Sequence, residues 1–255
     1  MRAHTVIFSN QKGGVGKTTL TRELGIYMAS RGHGVLLVDC DPQGNLTKSL
    51  VEGERPGLYE ALVGEGLSLT DLGASLSLLA GDFRLALLEK SLLGEIDAYT
   101  RLHLLLADAK LSAFQFIFLD TPPSLGVLTV NALAAANDLV IPMNPSLYSM
   151  QGTNDLMRTV SKVRENLNPA LSLLGVIINA FDSVPTITRQ IRSEIEASFA
   201  DKVFATVLSK SIKLEEAIAS RKGVIHHTNL GASRVAAEVK ALGDELLCRL
   251  GGGAS

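Results

Sequence analysis

The chain is poor in cysteine and in aromatic residues: among its 255 residues there are two cysteines and no tryptophan, and aromatic residues make up 5%. Cys40 and Cys248 lie far apart and in no metal-ligand spacing, which argues against a disulfide framework and against a zinc site. So few cysteines fit a reducing compartment, and we therefore expect a cytoplasmic protein.

Long apolar runs are also missing. No stretch of the sequence is long enough to span a bilayer, and a polar loop interrupts the N-terminal apolar run sooner than in a signal peptide. Neither sign of charge dominates, because 24 basic and 26 acidic residues leave a formal net charge of −2. Without a global basic field, any contact with nucleic acid would depend on a local patch.

The chain does contain enough apolar material for a full core, being 46% hydrophobic and 20% charged. We predict one domain over residues 1–250 and a flexible glycine-rich tail at 251–255. Continuous apolar runs predict strands at 35–38, 76–81, 114–119, 138–143 and 171–179. Helical spacing predicts helices at 17–31, 82–93, 97–109, within 147–166 and at 232–250. This alternation indicates an α/β fold, a doubly wound, mostly parallel sheet with helices on both faces.

The most informative segment follows a short apolar run, Val6 to Phe8, and precedes the first predicted helix. The strict phosphate-loop pattern is G-x-x-x-x-G-K-[ST], but here Gln11 replaces the first glycine and the loop reads K-G-G-V-G-K-T-T. Glycines permit a tight turn whose N–H groups converge, and the following helix N-terminus adds a positive dipole end. The predicted phosphate-binding residues are Gly13, Gly14, Val15, Gly16, Lys17, Thr18 and Thr19.

Within this loop two side chains have particular roles. Lys17 is placed to reach the terminal phosphates, and the hydroxyl of Thr18 is placed to ligate Mg²⁺. Lys12, near the start of the loop, adds a second positive charge beside the same phosphates. The loop is therefore predicted to bind a nucleoside triphosphate with magnesium.

Carboxylates follow two of the predicted strands. Asp39 and Asp41 end the strand at 35–38, and Asp120 ends the strand at 114–119, as in a Walker B motif. Taken alone, Asp39 and Asp41 would suit a helix cap and a turn before Pro42. Beside a phosphate loop, metal or water chemistry is favoured, because open α/β sheets place their chemistry at the carboxyl ends of strands.

These motifs resemble those of one family. The loop K-G-G-V-G-K-T-T resembles the deviant Walker A loop of the ParA/MinD ATPases, and N-Q-K-G-G-V-G-K-T-T is most similar to ParA/Soj partition ATPases. The stretches D-x-D-P-Q-G-N from Asp39 and D-x-P-P-S from Asp120 match further family motifs. The resemblance implies an ATPase with ATP and Mg²⁺ as cofactors, in which Asp41 supports attack by water and Asp39 and Asp120 lie with Thr18 at the metal.

The resemblance also implies partners. Family members form an ATP-dependent sandwich homodimer, in which the residue matching Lys12 reaches the nucleotide of the other subunit. The dimer binds DNA nonspecifically on the nucleoid, and a ParB-like centromere-binding protein stimulates hydrolysis and release. We therefore expect chromosome or plasmid partition, with no membrane partner. The alternative is a MinD-like or cargo-positioning ATPase that acts on a membrane or protein surface.

Two further assignments concern adenine and DNA. Asn179, at the end of the strand at 171–179, either bonds the adenine edge, as in relatives, or is a simple turn residue. Basic residues outnumber acidic ones between positions 189 and 240, which fits either a solvated face or a DNA patch. By resemblance, the DNA-binding candidates are Lys210 and Lys213, then Arg189, Arg192, Arg221 and Lys222. This segment departs from the family pattern P-R-N-V-R-L, since lysines replace both arginines.

Overall fold

A computed structural model describes residues 3–145, 149–179 and 186–251; the side chains of 149–151 and 186–189 and the tail residues 252–255 lie outside the description. Within these ranges seven strands form one sheet: β1 (His4–Phe8), β2 (Val35–Asp39), β3 (Thr70–Gly73), β4 (Leu76–Leu79), β5 (Phe116–Asp120), β6 (Asp138–Met143) and β7 (Ser172–Ile178). The strand order is β3-β4-β2-β5-β1-β6-β7, and only the β3–β4 pair among these is antiparallel.

Helices connect the strands. They are α1 (Lys17–Ser30), α2 (Asn45–Leu50), α3 (Leu58–Val63), α4 (Arg84–Leu92), α5 (Arg101–Leu105), α6 (Val127–Ala135), α7 (Ser149–Asn166), α8 (Thr186–Phe199), α9 (Ile212–Ala219) and α10 (Arg234–Gly251). Short 3-10 helices occupy Ala109–Ala113 and Ala200–Lys202.

The core consists of two apolar clusters, one on each face of the sheet. Successive strand residues point to opposite faces, so Ile7 belongs to one cluster while Val6 and Phe8 belong to the other. Helices α1, α9 and α10 contribute to the cluster of Val6, and α4, α6 and α7 contribute to the cluster of Ile7. The prediction of a doubly wound, mostly parallel sheet is confirmed.

Among the elements that differ from the sequence predictions, three have a clear physical reason. Helix α2 was not predicted, because it is short and its position depends on a hydrogen bond from Thr47 to Asp39 at the end of the preceding strand. Strand β3 was missed because it is a polar edge strand, joined to β4 through Ala74 and Ser75, which both have positive φ. The helix predicted at 97–109 is only α5, since the Asp108 side chain accepts a hydrogen bond from the N–H of Lys110 and begins a separate 3-10 helix.

The final helix packs on the first. Its residues Val239, Leu242 and Leu246 are buried, and a Cβ on Gly243 would lie 2.1 Å from the ring of Tyr27. The apolar face of α10 is therefore buried inside the fold. No helix in the described ranges combines the length and apolar character needed to cross a membrane.

The parallel arrangement positions the site. Strands β1, β2, β5, β6 and β7 run in the same direction, so the segments that follow them gather at one edge of the sheet. Strand β1 lies between β5 and β6, which places the glycine-rich loop centrally. Asp39 and Asp120 are register partners at the ends of β2 and β5. The predicted phosphate, metal and water residues therefore meet at one edge.

Candidate nucleotide-binding site

The glycine-rich loop wraps from β1 into the N-terminus of α1. Gly14 and Gly16 have φ values of +71° and +89°, a conformation that glycine adopts without steric cost. Gly16 caps α1, and its carbonyl accepts the first helical bond from the N–H of Leu20 at 2.9 Å. The open end of α1 thus faces the cavity lined by Gly14, Gly16 and Lys17, as an anion-binding site requires.

Three asparagines from neighbouring strand ends hold this loop. The Asn179 amide donates to the Val15 carbonyl at 2.7 Å, and the Asn144 amide donates to the Gly14 carbonyl at 3.1 Å. Asn10 bridges β6 and the loop, because it donates to the Pro142 carbonyl at 2.7 Å and accepts from the N–H of Lys12 at 3.0 Å. The contacts of Asn179 and Asn144 occupy loop carbonyls, and the contact of Asn10 fixes the start of the loop through the N–H of Lys12.

The sequence predictions missed Asn10 and Asn144, and they did not anticipate the contact of Asn179. Each of the three follows a buried strand within two residues, at the edge where the phosphate loop lies. That position is the signal that could have identified them. Asn179 is buried, its amide nitrogen is committed to the phosphate loop, and its predicted contact with adenine stays a prediction.

Lys17 points into the site and is buried. Its Nζ donates to the Lys12 carbonyl at 3.2 Å, so it lies along the loop. Burial lowers the pKa of Lys17, although the nearby carboxylates of Asp120 and Asp41 act in the opposite direction. A lysine held this way is only weakly solvated and is ready to exchange a carbonyl partner for phosphate. Lys12 itself is half-buried at the start of the loop.

Thr18 and Asp120 form the group that best fits a divalent cation. The Thr18 hydroxyl donates to Asp120 Oδ2 at 2.7 Å. The other oxygen, Oδ1, is buried and has no hydrogen-bond partner within the described ranges. Burial is the main reason why the pKa of Asp120 is raised, and the Asp39 and Asp41 carboxylates raise it further against the opposing Thr18 bond and Lys17 charge. A cation would satisfy the orphaned oxygen and stabilise its charge.

The composition of this group favours magnesium bound together with phosphate. In the described part of the chain no cluster of three His, Cys, Asp or Glu side chains could hold a metal by itself. Mg²⁺ is usually bound by one or two carboxylates together with substrate phosphates and water rather than by an all-protein cage. Thr18 and Asp120, beside the phosphate loop, fit that arrangement.

Asp39 and Asp41 differ in their surroundings. Asp39 Oδ2 accepts from both the N–H and the hydroxyl of Thr47, at 2.8 and 2.7 Å, and Oδ1 accepts from the N–H of Asp41 at 3.2 Å. Its oxygens thus anchor α2, and burial raises the pKa of Asp39 to about 6. Asp41 is also buried, and its Oδ1 accepts from the N–H of Gln43 at 2.9 Å.

The cavity over the loop has a volume of about 580 Å³ and continues beyond the phosphate loop. Its other walls are Asn45, Lys48 and Ser49 of α2, and Ile218, Ala219 and Arg221 at the C-terminal end of α9. Arg221 was predicted as a DNA contact. The structure places it at this cavity, where its Nη1 lies 2.5 Å from Glu52 Oε1, and its contact with DNA stays a prediction.

Comparison with known proteins agrees with this geometry. A family model described as an AAA domain matches residues 3–173. The chromosome-partitioning ATPase Soj of Thermus thermophilus is 39% identical over 250 residues, which cover 94% of this chain and 96% of that protein. This chain belongs to the ParA/Soj family.

Solved structures show the same fold. The cobyrinic acid a,c-diamide synthase of Mycobacterium smegmatis, solved with ADP and magnesium, is 31% identical to this ParA/Soj-family chain with a TM-score of 0.83, and the match covers 98% of this chain and 96% of that one. An ATP complex of a McdA variant from Cyanothece has a TM-score of 0.84 at 21% identity, covering 96% of both chains, and supports the fold alone.

The predicted DNA candidates of this ParA/Soj-family chain are only partly brought together. Lys210 and Lys213 are exposed on either side of Ser211, the N-cap of α9, and Lys222 is exposed beyond the end of that helix. Arg192 pairs with Glu196 at 2.7 Å on α8, and the side chain of Arg189 lies outside the description. Lys210 and Lys213 therefore share one helix end, whereas Arg221 faces the cavity.

Proposed function

We propose that this chain is a partition ATPase that binds ATP with Mg²⁺ at the cavity, hydrolyses it, and uses the nucleotide state to control contact with DNA in the cytoplasm. Residues 1–250 would form the single ATPase domain. The observation that carries the proposal is the Thr18–Asp120 pair, whose carboxylate has one oxygen without a hydrogen-bond partner in the described ranges. This pair lies beside a glycine loop whose carbonyls accept hydrogen bonds from two asparagines.

The loop residues Gly13 to Thr19 bind the phosphates through backbone N–H groups and the α1 dipole. Lys17 leaves the Lys12 carbonyl and neutralises charge on the terminal phosphates. Thr18 and Asp120 would hold Mg²⁺, which supplies electrostatic stabilisation of the phosphates when bound. Asp39 contributes indirectly, because it positions α2 through its hydrogen bond with Thr47.

In this proposal Asp41 orients the attacking water. It lies at the same sheet edge as Asp39 and Asp120, and both Lys17 and Asp120 are close enough for its charge to change their pKa values. A carboxylate in this place accepts a hydrogen bond from water and fixes the direction of attack. We expect Asp41→Ala to bind ATP and to lose hydrolysis.

Dimerisation supplies the remaining charge in this proposal. Two subunits enclose two nucleotides, and Lys12 of each subunit stabilises the phosphates bound by the other. The family relationship and the position of Lys12 at the rim of the loop support this step. A ParB-like protein would then stimulate hydrolysis and release the dimer from the nucleoid.

DNA contact would use the exposed end of α9. Lys210 and Lys213 flank its N-cap, while the opposite end of α9 lines the nucleotide cavity. Contacts between lysines and phosphates are independent of sequence and weaken steeply as salt rises. The exposed Glu215 and Glu216 on the same helix reduce the local positive charge, so we expect moderate affinity.

Binding of nonspecific duplex DNA tests this proposal, measured with ATP, with ADP and without nucleotide between about 50 and about 200 mM salt. The expected result is binding that requires ATP, falls with salt, and is lost in Lys210→Ala/Lys213→Ala. The matched control is Lys90→Ala/Lys110→Ala, which removes two exposed lysines elsewhere and should bind normally. Absence of DNA binding in every nucleotide state would contradict the DNA part of the proposal.

The alternative is an ATP-switched, cargo-positioning protein whose target is a membrane or protein surface. It is favoured by the ion pairs of Arg192 and Arg221, which leave fewer uncompensated cations for DNA. Flotation with liposomes of anionic lipids separates the membrane form of this alternative, because only a membrane-binding protein floats with the vesicles.

A further inference from the structure

The cavity over the phosphate loop has two chemically different ends. One end consists of the glycine loop and Lys17, and the other consists of Ile218, Ala219 and Arg221. Since the glycine loop takes the phosphates, a bound nucleotide extends its nucleoside toward the other end. That end combines apolar surface with a guanidinium group.

The backbone of Arg221 is held in place although its side chain is at the surface. Arg221 has φ +54°, which is uncommon for a residue other than glycine. Its N–H donates to the Ile218 carbonyl at 2.9 Å, and the N–H of Lys222 donates to the Ala217 carbonyl at 3.1 Å. These bonds close the end of α9 and fix where Arg221 leaves the helix.

The same segment is tied to the helix that carries the phosphate loop. The N–H of Val224 donates to Glu23 Oε2 at 2.8 Å, and Glu23 is ion-paired with Arg22 in the fully buried part of α1. Arg22 in turn donates to the Ser49 carbonyl at 3.4 Å, and Ser49 lines the cavity from α2. The wall that bears Arg221 therefore has a fixed position relative to the phosphate loop.

The guanidinium of Arg221, by contrast, is free to change partner. Its pair with Glu52 joins side chains that are 40% and 76% exposed. Exposed ion pairs contribute little stability, so this one opens at small cost. Glu52 follows α2 and Arg221 follows α9, so the pair connects the segments that follow these two helices.

We propose that Arg221 is a nucleoside-binding residue whose guanidinium stacks on the face of the bound base. The inference rests on the function proposed above and assigns Arg221 to the nucleotide rather than to DNA. A planar, delocalised cation is attracted to the π face of an aromatic ring, and Ile218 and Ala219 supply the apolar surroundings. Stacking does not read the base edge, so adenine and guanine nucleotides gain alike.

Calorimetric titration with ATP and with inorganic tripolyphosphate, both in Mg²⁺, separates base contact from phosphate contact. Arg221→Ala should weaken ATP binding by about threefold to thirtyfold, and tripolyphosphate binding should not change. Arg221→Gly should give the same result while suiting the left-handed backbone, which guards against loss of folding. The control Arg158→Ala removes an exposed arginine of α7 and should behave as the wild type.

Three results would overturn the inference. Equal weakening of ATP and tripolyphosphate in both variants would make Arg221 a phosphate or scaffold residue. Unchanged binding of both ligands, with or without an accompanying loss of DNA binding, would remove Arg221 from the nucleotide site. Wild-type protein that binds neither ligand would refute the proposed function as well, and that failure is visible before any variant is compared.

Discussion

Gly16 and Asn179 provide the sharpest test of how the phosphate loop is held. A Cβ on Gly16 would lie 1.8 Å from Asn179 Nδ2, and Gly16 has φ +89°. Alanine in the left-handed region costs about 1–2 kcal/mol. Displacing the Asn179 amide also leaves the Val15 carbonyl without its partner, at about 1–3 kcal/mol. Gly16→Ala should therefore lower the free energy of unfolding by about 2–5 kcal/mol.

The two residues should also be coupled. Asn179→Ala loses only the hydrogen bond, which is worth about 1–3 kcal/mol, and it removes the amide that the new Cβ would hit. In the double variant Gly16→Ala then adds only backbone strain. The double variant should be less destabilised than the sum of the single variants by about 1–3 kcal/mol.

Urea unfolding followed by circular dichroism measures these free energies in a double-mutant cycle. Additivity within about 0.5 kcal/mol would refute the reasoning, because independent residues add and contacting residues do not. An Asn179→Ala variant as stable as the wild type would likewise refute the claim that this amide holds the loop.

Other side chains allow tests of the same kind. The folded-state pKa of Asp120 lies above its unfolded value, so the ligand-free protein loses stability as pH rises through the raised pKa. At about pH 7.5 the ligand-free Asp120→Asn variant should therefore melt at a higher temperature than the wild type. Mg²⁺ and ATP should no longer stabilise this variant. A lower melting temperature for ligand-free Asp120→Asn would contradict this. Glu23→Ala leaves Arg22 as an unpaired buried charge and should lower the free energy of unfolding in urea by about 3–5 kcal/mol. The double variant Arg22→Met/Glu23→Leu should lower it by less, and the reverse order would contradict the pairing. Burial alone would raise the pKa of Asp138, but hydrogen bonds from His4 and a neighbouring serine hold this pKa below the usual value. The stability that this carboxylate confers is therefore lost as pH falls below about 4. Asp138→Asn should make unfolding in acid less dependent on pH, and an unchanged acid transition would exclude this role.

The central part of the fold could be predicted from the sequence because its strands are buried on both faces. Such strands appear as continuous apolar runs, as at Val35 to Val38 and at Phe116 to Leu119. The missed elements depend on contacts that no local pattern contains. Helix α2 needs the bond from Thr47 to Asp39, and β3 needs a hairpin turn formed by Ala74 and Ser75 rather than by the usual glycine or asparagine.

The candidate site shows the same division. The glycine loop, Thr18 and Asp120 could be identified locally, since each belongs to a motif with a defined spacing. The supporting asparagines could not, because Asn144 and Asn179 contact the loop from 130 and 164 residues away. The position of Arg221 at the cavity was not predicted, because charge counting over a segment does not tell which side chains face a cavity.

The most direct test of the account is the mass of Asp41→Ala in solution, measured by light scattering with Mg²⁺ and ATP, with ADP and without nucleotide. We predict a monomer of 27.1 kDa without nucleotide and with ADP, and a mass that doubles with Mg²⁺ and ATP. Adding Lys12→Ala should prevent the doubling while ATP still binds. A mass that does not depend on nucleotide, or doubling that survives Lys12→Ala, would contradict the claim that ATP drives dimerisation through the phosphate loop.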